Sequence, residues 1–464
     1  MLISPLPNNT GATSTESCTK SCTKRNTKLR VALPGKLLSP LLIAAVVLTG
    51  CTELPPPAVA EAQAQAQAQT LSTSAATVPG TPVARDPATL PAEVRALRPY
   101  LRGNPRYGWQ VGQLGTPNDF WNQRADRLSV HPDSAAVTTY LAHVSRNDKQ
   151  DPRSEFFGQF DLGKKANNEN YSFHILEADS TTPRYDFTPR LRANGFPEDE
   201  FYSPHCDQIA MPVPANGRLQ GEANYQCTGN GDCHLYVVNS EEGRIYEQWR
   251  ADNPGSDKRR YAGGCTNVWD LRETQPENLR GLSCSSANAA GLPYIPMLIT
   301  PGEIKAGVIR HALAFTLPNG WVERDVYARP ATHNPIVSVR WGDAEPGPGK
   351  PMRYGSHFRL DQGFRISPRW PASLRVILQA LKDYGMYHID GGPRMIVTSN
   401  DAFSEHHWDD PDIALNPHDM TTIAGLSWKD FELVSVAGAA ASMRSTDCRR
   451  RPQREKAPRG QALL

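Results

Sequence analysis

The stretch DCHLYVVNSEEGRIYEQW, Asp232 to Trp249, sets an imidazole, a phenol and a carboxylate into a pattern that otherwise belongs to a plain hairpin. Two runs rich in Tyr, Val, Ile and Trp flank NSEEG, whose Gly243 can take the positive φ that a short hairpin loop often demands. With Val238 opposite Ile245, Tyr236 faces Glu247 and His234 faces Trp249 on one surface. A one-residue slip would send His234 and Glu247 to opposite faces, so the register decides whether the grouping exists. Glycoside hydrolysis needs two carboxylates, one kept protonated by apolar surroundings. Glu247 and Asp232 form the first such pair, with Asp207 in HCDQ a substitute for either. A lyase would instead use a histidine or tyrosine as base and acid, for which His234, His311 and Tyr236 qualify. Aromatic rings stack on the apolar faces of sugars while carboxylates take hydroxyls, which makes Trp249, Tyr236, Trp269 and Asp207 the candidate substrate-binding residues.

His311 lies in the second informative stretch, PGEIKAGVIRHALAFTLP. Pro301 and Glu303 open a brief helix and Gly307 closes it, after which Ile309, His311, Leu313, Phe315 and Leu317 alternate on one strand face. A histidine in an apolar row is commonly a satisfied core residue. It joins the catalytic set only if its face and the His234/Glu247 face line one cleft. The run SEHHWDDPD lacks the ligand spacing of a calcium loop and reads as a solvated acidic turn. No cysteine pair has C-x₂-C spacing. GPGKP and DGGP do not sit between a strand and a helix, which excludes a nucleotide site of the phosphate-loop kind. No metal and no cofactor is expected.

These residues must be carried by many short elements. The chain has 464 residues, with 40 Pro and 35 Gly against modest apolar content, a composition of turns joining short strands. Two helices stand out. In HPDSAAVTTYLAHV, Asp133 or Ser134 caps a stripe of Val137, Tyr140, Leu141 and Val144; in PASLRVILQALKDYG, Leu374, Ile377, Leu378 and Leu381 form one face and Gly385 supplies the stop. YSFHILEA, IAMPVP, HFRL and RMIVTS read as strands. The expected fold is mainly β, a jelly-roll-like β-sandwich with a few peripheral helices.

Residues 1–50 have the anatomy of an export signal: basic residues from Lys20 to Lys36, then an apolar run from Leu37 to Leu48 that is too short to span a bilayer comfortably. The run ends in LTGC, which resembles the lipobox of bacterial lipoproteins and makes Cys51 the expected lipid anchor, hence the membrane partner. Residues 51–96, with AEAQAQAQAQ, read as a low-complexity tether. Residues 97–443 form the expected globular domain, and residues 444–464 a basic disordered tail. Export places the chain in the envelope or outside the cell and makes the remaining six cysteines, Cys206, Cys227, Cys233, Cys265, Cys284 and Cys448, a disulfide framework of open connectivity. A net charge of +2 gives no reason to expect nucleic acid.

GDCHLYVVNSEEGRIYEQWRA, SSANAAGLPYIPMLITPGEIKAGVIRHALAF and RVILQALKDYGMYHIDGG together resemble a family of exported bacterial proteins. Its members pair a D-G-H hairpin with a later G-L-P … I-x-H-A-L block and a helix ending in Y-G-M. The resemblance implies export and shared architecture, with Asp232, His234, Glu247, Trp249 and His311 at motif positions. Cys233 stands where the family has Gly, which implies altered hairpin geometry or a disulfide there. The function expected is an exported carbohydrate-active enzyme that hydrolyses a polysaccharide through Glu247 and Asp232, assisted by His234 or His311. A His/Tyr polysaccharide lyase and a non-catalytic glycan- or envelope-binding lipoprotein are the alternatives.

Overall fold

The computed structural model describes residues 113–147, 159–160, 173–189, 205–228, 231–253, 261–324, 326–335, 351–401, 410–434, and, further on or between these, 408, 441–442, 448, 450 and 453–455. Chain contacts divide the molecule into Met1–Thr81 and Pro82–Leu464. The stretches expected to be signal peptide and tether, the expected anchor Cys51 and most of SEHHWDDPD lie outside the described residues.

The described part is a mixed α/β fold with several sheets and four α-helices. The strands used below are β1 (Gln159–Phe160), β2 (Phe173–Ala178), β3 (Gln208–Ile209), β4 (Leu235–Asn239), β5 (Arg244–Trp249), β6 (Cys265–Asp270), β7 (Leu313–Leu317), β8 (His357–Leu360), β9 (Met386–Gly391), β10 (Met395–Ile396), β11 (Ser399–Asp401), β12 (Phe431–Leu433) and β13 (Arg454–Glu455). The helices are α1 (Ser134–Arg146), α2 (Pro301–Ala306), α3 (Ala372–Asp383) and α4 (Asp419–Thr422).

Sheet A runs β6-β5-β4-β2-β11, antiparallel through the hairpin and parallel from β4 to β11. Sheet B runs β1-β10-β7-β9-β8-β12 and also mixes directions, with β7 parallel to β9. Jelly rolls are built from antiparallel Greek keys. Parallel pairs near the middle of both sheets set this architecture apart, and among the described residues no sheet closes into a jelly-roll sandwich.

Period-2 alternation gives sheet A two apolar faces. Phe173, Ile175, Tyr236, Val238, Ile245 and Trp269 enter the larger core, which they share with β7, β8, β9 and α3. Leu176, Leu235, Val237, Tyr246 and Val268 point the other way into a smaller core. Glu247, Gln248, Thr266 and Asn267, in the middle of β5 and β6, are buried between these layers and must be satisfied internally. In α3, Leu374, Ile377, Leu378 and Leu381 are fully buried as the stripe requires, each contributing roughly 2 kcal/mol by leaving water. Gly385 follows at φ 72°, the left-handed stop. In α1, Asp133 holds the N-cap position without a side-chain bond, while Ser134 Oγ accepts the Leu433 N–H at 2.9 Å and ties the helix to β12.

Three disulfides close the framework: Cys206–Cys265, Cys227–Cys233 and Cys284–Cys448. Cys233 has φ 44°, a left-handed conformation that glycine adopts freely. Among the described residues no helix is long and apolar enough to cross a membrane.

Candidate functional site

The hairpin register is the expected one: Tyr236 pairs with Glu247 and Val238 with Ile245. The ladder stops at Leu235 and Gln248, so His234 and Trp249 lie just past its end. His234 Nδ1 is 3.1 Å from the Tyr236 hydroxyl, within an aromatic pack in which Phe173 stacks on Tyr236 and Tyr294 leans on Phe173. Burial pushes the His234 imidazole down to about 4 and keeps it neutral. Tyr236 can then donate to Nδ1 with the imidazole proton on Nε2.

Glu247 is fully buried. Its Oε1 accepts the backbone N–H groups of Tyr294 at 2.6 Å and Ile295 at 2.8 Å, and its Oε2 accepts the Trp269 indole N–H at 3.2 Å. The first two are donors at the start of the 3₁₀ turn Ile295–Met297, which has no cap of its own. Burial pushes the Glu247 carboxyl up to about 7 against the pull of these three donors. A carboxyl raised in this way has the acidity of a general acid, yet its contacts make it a fastener between β5 and the turn.

His311 plays a matching part nine residues beyond Gly302. Its Nδ1 donates to the Ala312 carbonyl at 2.9 Å and its Nε2 lies 2.9 Å from Glu303 Oε1. Glu303 Oε2 in turn accepts the Thr300 N–H and hydroxyl at 3.1 Å, completing a capping box at the start of α2. Desolvation alone would lower the His311 pKa, but the adjoining Glu303 carboxylate outweighs it and holds the imidazole above its ordinary value. The strand begins at Leu313, so Ile309 and His311 precede β7 and do not belong to its face as expected. Pro301, Glu303 and Gly307 take the helix positions expected of them, with Gly307 at φ 75°. Thr300 was legible as the first residue of a T-x-x-E box and completes it.

No hydrogen bond joins Glu247 to His311 among the described residues, and neither lines the cleft described next. Asp232 is exposed, past the end of the ladder, where its Oδ1 accepts the Trp249 indole N–H at 3.1 Å. The structure thus places one member of the expected carboxylate pair on the surface and the other in the core.

The remaining two candidates do come together. A cleft of about 280 Å³ is lined by Trp269, Gln275, Arg280, Arg450, Gln453 and neighbouring residues of the β6 exit. Asp207 lies beneath it, wholly buried, and fixes both arginines: Oδ2 accepts from Arg280 at 2.6 Å and Oδ1 from Arg450 at 2.6 Å. The backbone N–H groups of Val268 and Gln453 complete its shell. Burial works to raise the Asp207 pKa, but the two guanidinium groups and these donors outweigh it and hold the carboxyl below its ordinary value. The Arg280 guanidinium lies over the Trp269 ring, 5.5 Å from its centroid.

Arg450 and Gln453 fall in the segment expected to be a disordered tail. At its described residues that segment is instead tied down: by Cys284–Cys448, by Arg450 on Asp207, and by β13 running parallel to β3. A lone cysteine within the basic run was the available signal of a return to the domain. Nothing in the local sequence singles out Arg280. Glu222, Cys227 and Cys233 bring three ligand-type atoms together, but the two sulfurs are bonded to each other and supply no thiolate for a metal.

No family model, no curated protein and no solved structure matches the chain.

Proposed function

We propose that the chain is an exported glycan-binding protein, held at the cell envelope through Cys51, and that the Trp269/Arg280/Arg450 cleft takes the sugar. One observation carries the reading: Trp269, expected to bind sugar, lines a cleft beside Arg280 and Arg450, both fixed from beneath by the expected carboxylate Asp207, with the amides of Gln275 and Gln453, the Thr274 hydroxyl and the acids Asp270 and Glu273 completing its polar lining. An indole beside fixed hydrogen-bond donors is the usual composition of a carbohydrate site. Three disulfides suit an oxidising compartment, which supports export.

A hydrolase is the second reading, favoured by the Glu247 carboxyl raised to about 7 and bonded to the same Trp269 that lines the cleft. It requires Glu247 to become accessible. Affinity electrophoresis of the leaderless protein through gels of plant, algal, fungal and bacterial polysaccharides, followed by assay for reducing ends and unsaturated products, tests both. Retention without product is the expected result. Retention with new reducing ends would move the hydrolase reading to first place, and failure of every polymer to retard the protein would overturn glycan binding altogether.

A further inference from the structure

Two guanidinium groups of the cleft share the one buried carboxylate they bond, Asp207, while the buried Glu247 carboxyl also acts on Arg280 without a hydrogen bond to it. Arg280 has a side chain 4 % exposed and Asp207 one that is 0 % exposed, so this imbalance is set in a poorly solvated wall. Arg280 donates through Nη1 to Asp207 and through Nη2 to the His205 carbonyl, while its Nε is buried without a hydrogen-bond partner among the described residues. Arg450 donates to the same carboxylate and the same carbonyl. Asp207 and the His205 carbonyl therefore hold two forks side by side, the arrangement suited to a planar or tetrahedral oxyanion. Two acids also line the cleft: Asp270 is engaged by Arg272, and Glu273 is exposed on the rim, where solvent screens its charge from the buried guanidinium groups.

We propose that the ligand of this cleft is an acidic polysaccharide whose oxyanion is received by Arg280 and Arg450, and that Arg450 and Gln453, from the C-terminal stretch, are part of the wall of the binding site. The proposal rests on the glycan-binding reading and names its substrate class. Arg450 and Gln453 reach the cleft only because the segment is stapled by Cys284–Cys448 and laid beside β3. Substrate discrimination is thereby shared between β6 and a segment some 180 residues later in the chain. Glu273 at the rim opposes an approaching anion and acts as a filter against binding at the mouth alone.

Matched polymers separate this proposal from the reading beneath it. The full leaderless protein is run against polygalacturonate and its methyl ester, and against dextran sulfate and dextran, at two salt concentrations. Retardation by the charged member of a pair and not by its neutral partner, weakening with salt, is expected. Arg450→Gln should weaken binding about tenfold, and the exposed Glu273→Gln, which disturbs no packing, should strengthen it about threefold. Equal binding to charged and neutral partners would overturn the acidic class and leave glycan binding standing. Binding to neither member of either pair would overturn the acidic class, and silence across the wider panel as well would remove the glycan reading. Charged-polymer binding that ignores both substitutions would place the contact away from this cleft and overturn the proposal.

Discussion

The Glu247 carboxylate accepts the backbone N–H of Tyr294 at 2.6 Å, and with it the N–H of Ile295, so one side chain of a hairpin strand starts a turn forty-seven residues later. The residue expected to break glycosidic bonds is thus a cap held inside the core. Glu247→Ala should leave both N–H groups and the Trp269 indole without acceptors and lower stability by about 3 kcal/mol. Glu247→Gln keeps one carbonyl acceptor and should cost less. Urea unfolding followed by tryptophan fluorescence measures both; an alanine variant as stable as the parent would show that the contact contributes nothing.

The same carboxyl gives stability a slope with pH. Its pKa is raised from 4.5 to about 7 on folding, so the native state binds the proton more tightly than the unfolded chain. Its contribution is fully present below about pH 4.5 and is lost as pH rises through about 7, a change on the order of 3 kcal/mol. His234, held down near 4 by burial, acts in the opposite sense: its contribution is present above its ordinary 6.5 and is lost as pH falls toward about 4. The stability difference between parent and Glu247→Gln isolates the first effect. It should shift in favour of the variant between pH 5 and pH 8, and a difference independent of pH would contradict the assignment.

His311 and Glu303 form a buried pair that neither residue can leave singly. His311→Ala strands the Glu303 carboxylate and should cost roughly 3 kcal/mol, whereas replacing both by apolar residues should recover part of that loss. Because Glu303 raises the histidine pKa, the coupling is fully present below pH 6.5 and is lost as pH climbs past the elevated folded value. A double-mutant cycle at pH 6 should therefore return a larger coupling than one at pH 9.

The disulfides should differ in worth. Cys227–Cys233 spans six positions of sequence and Cys284–Cys448 spans 164. On chain entropy alone the first stabilises by about 2 kcal/mol and the second by about 5. Replacing Cys227 by Ser and Cys233 by Gly should recover further stability through the φ of 44°, which glycine takes without strain. Thermal unfolding of the two double variants ranks them, and a larger loss from the short loop would refute this ordering.

Elements with local causes were legible. The register of β4 and β5 followed from alternation and a glycine turn, the α3 stripe from its 3.6-residue period, and α2 from proline and glycine at its ends. Strand direction was not. β2 and β4 are short apolar runs, and nothing within such a run states whether its neighbour lies parallel or antiparallel; that is settled by connections of some 60 residues, and the expectation of a jelly roll rested there. His311 looked like a strand residue because alternation continued through Ile309, whereas its bond to Glu303 holds the chain back until Leu313. Asp207 showed as a candidate by type alone. Its partners Arg280 and Arg450 lie 73 and 243 positions away, and no window of sequence contains them together.

Synthesis order has a consequence at Cys284. When it emerges, Cys206, Cys227, Cys233 and Cys265 have all been made and can pair among themselves, while its own mate follows 164 positions later. For that interval Cys284 is the odd thiol among the six bridged cysteines, and any oxidant acting before the closing stretch arrives invites scrambling at this point. Correct assembly therefore favours late oxidation, after the whole polypeptide is on hand, and an isomerase would find its work concentrated on a single sulfur.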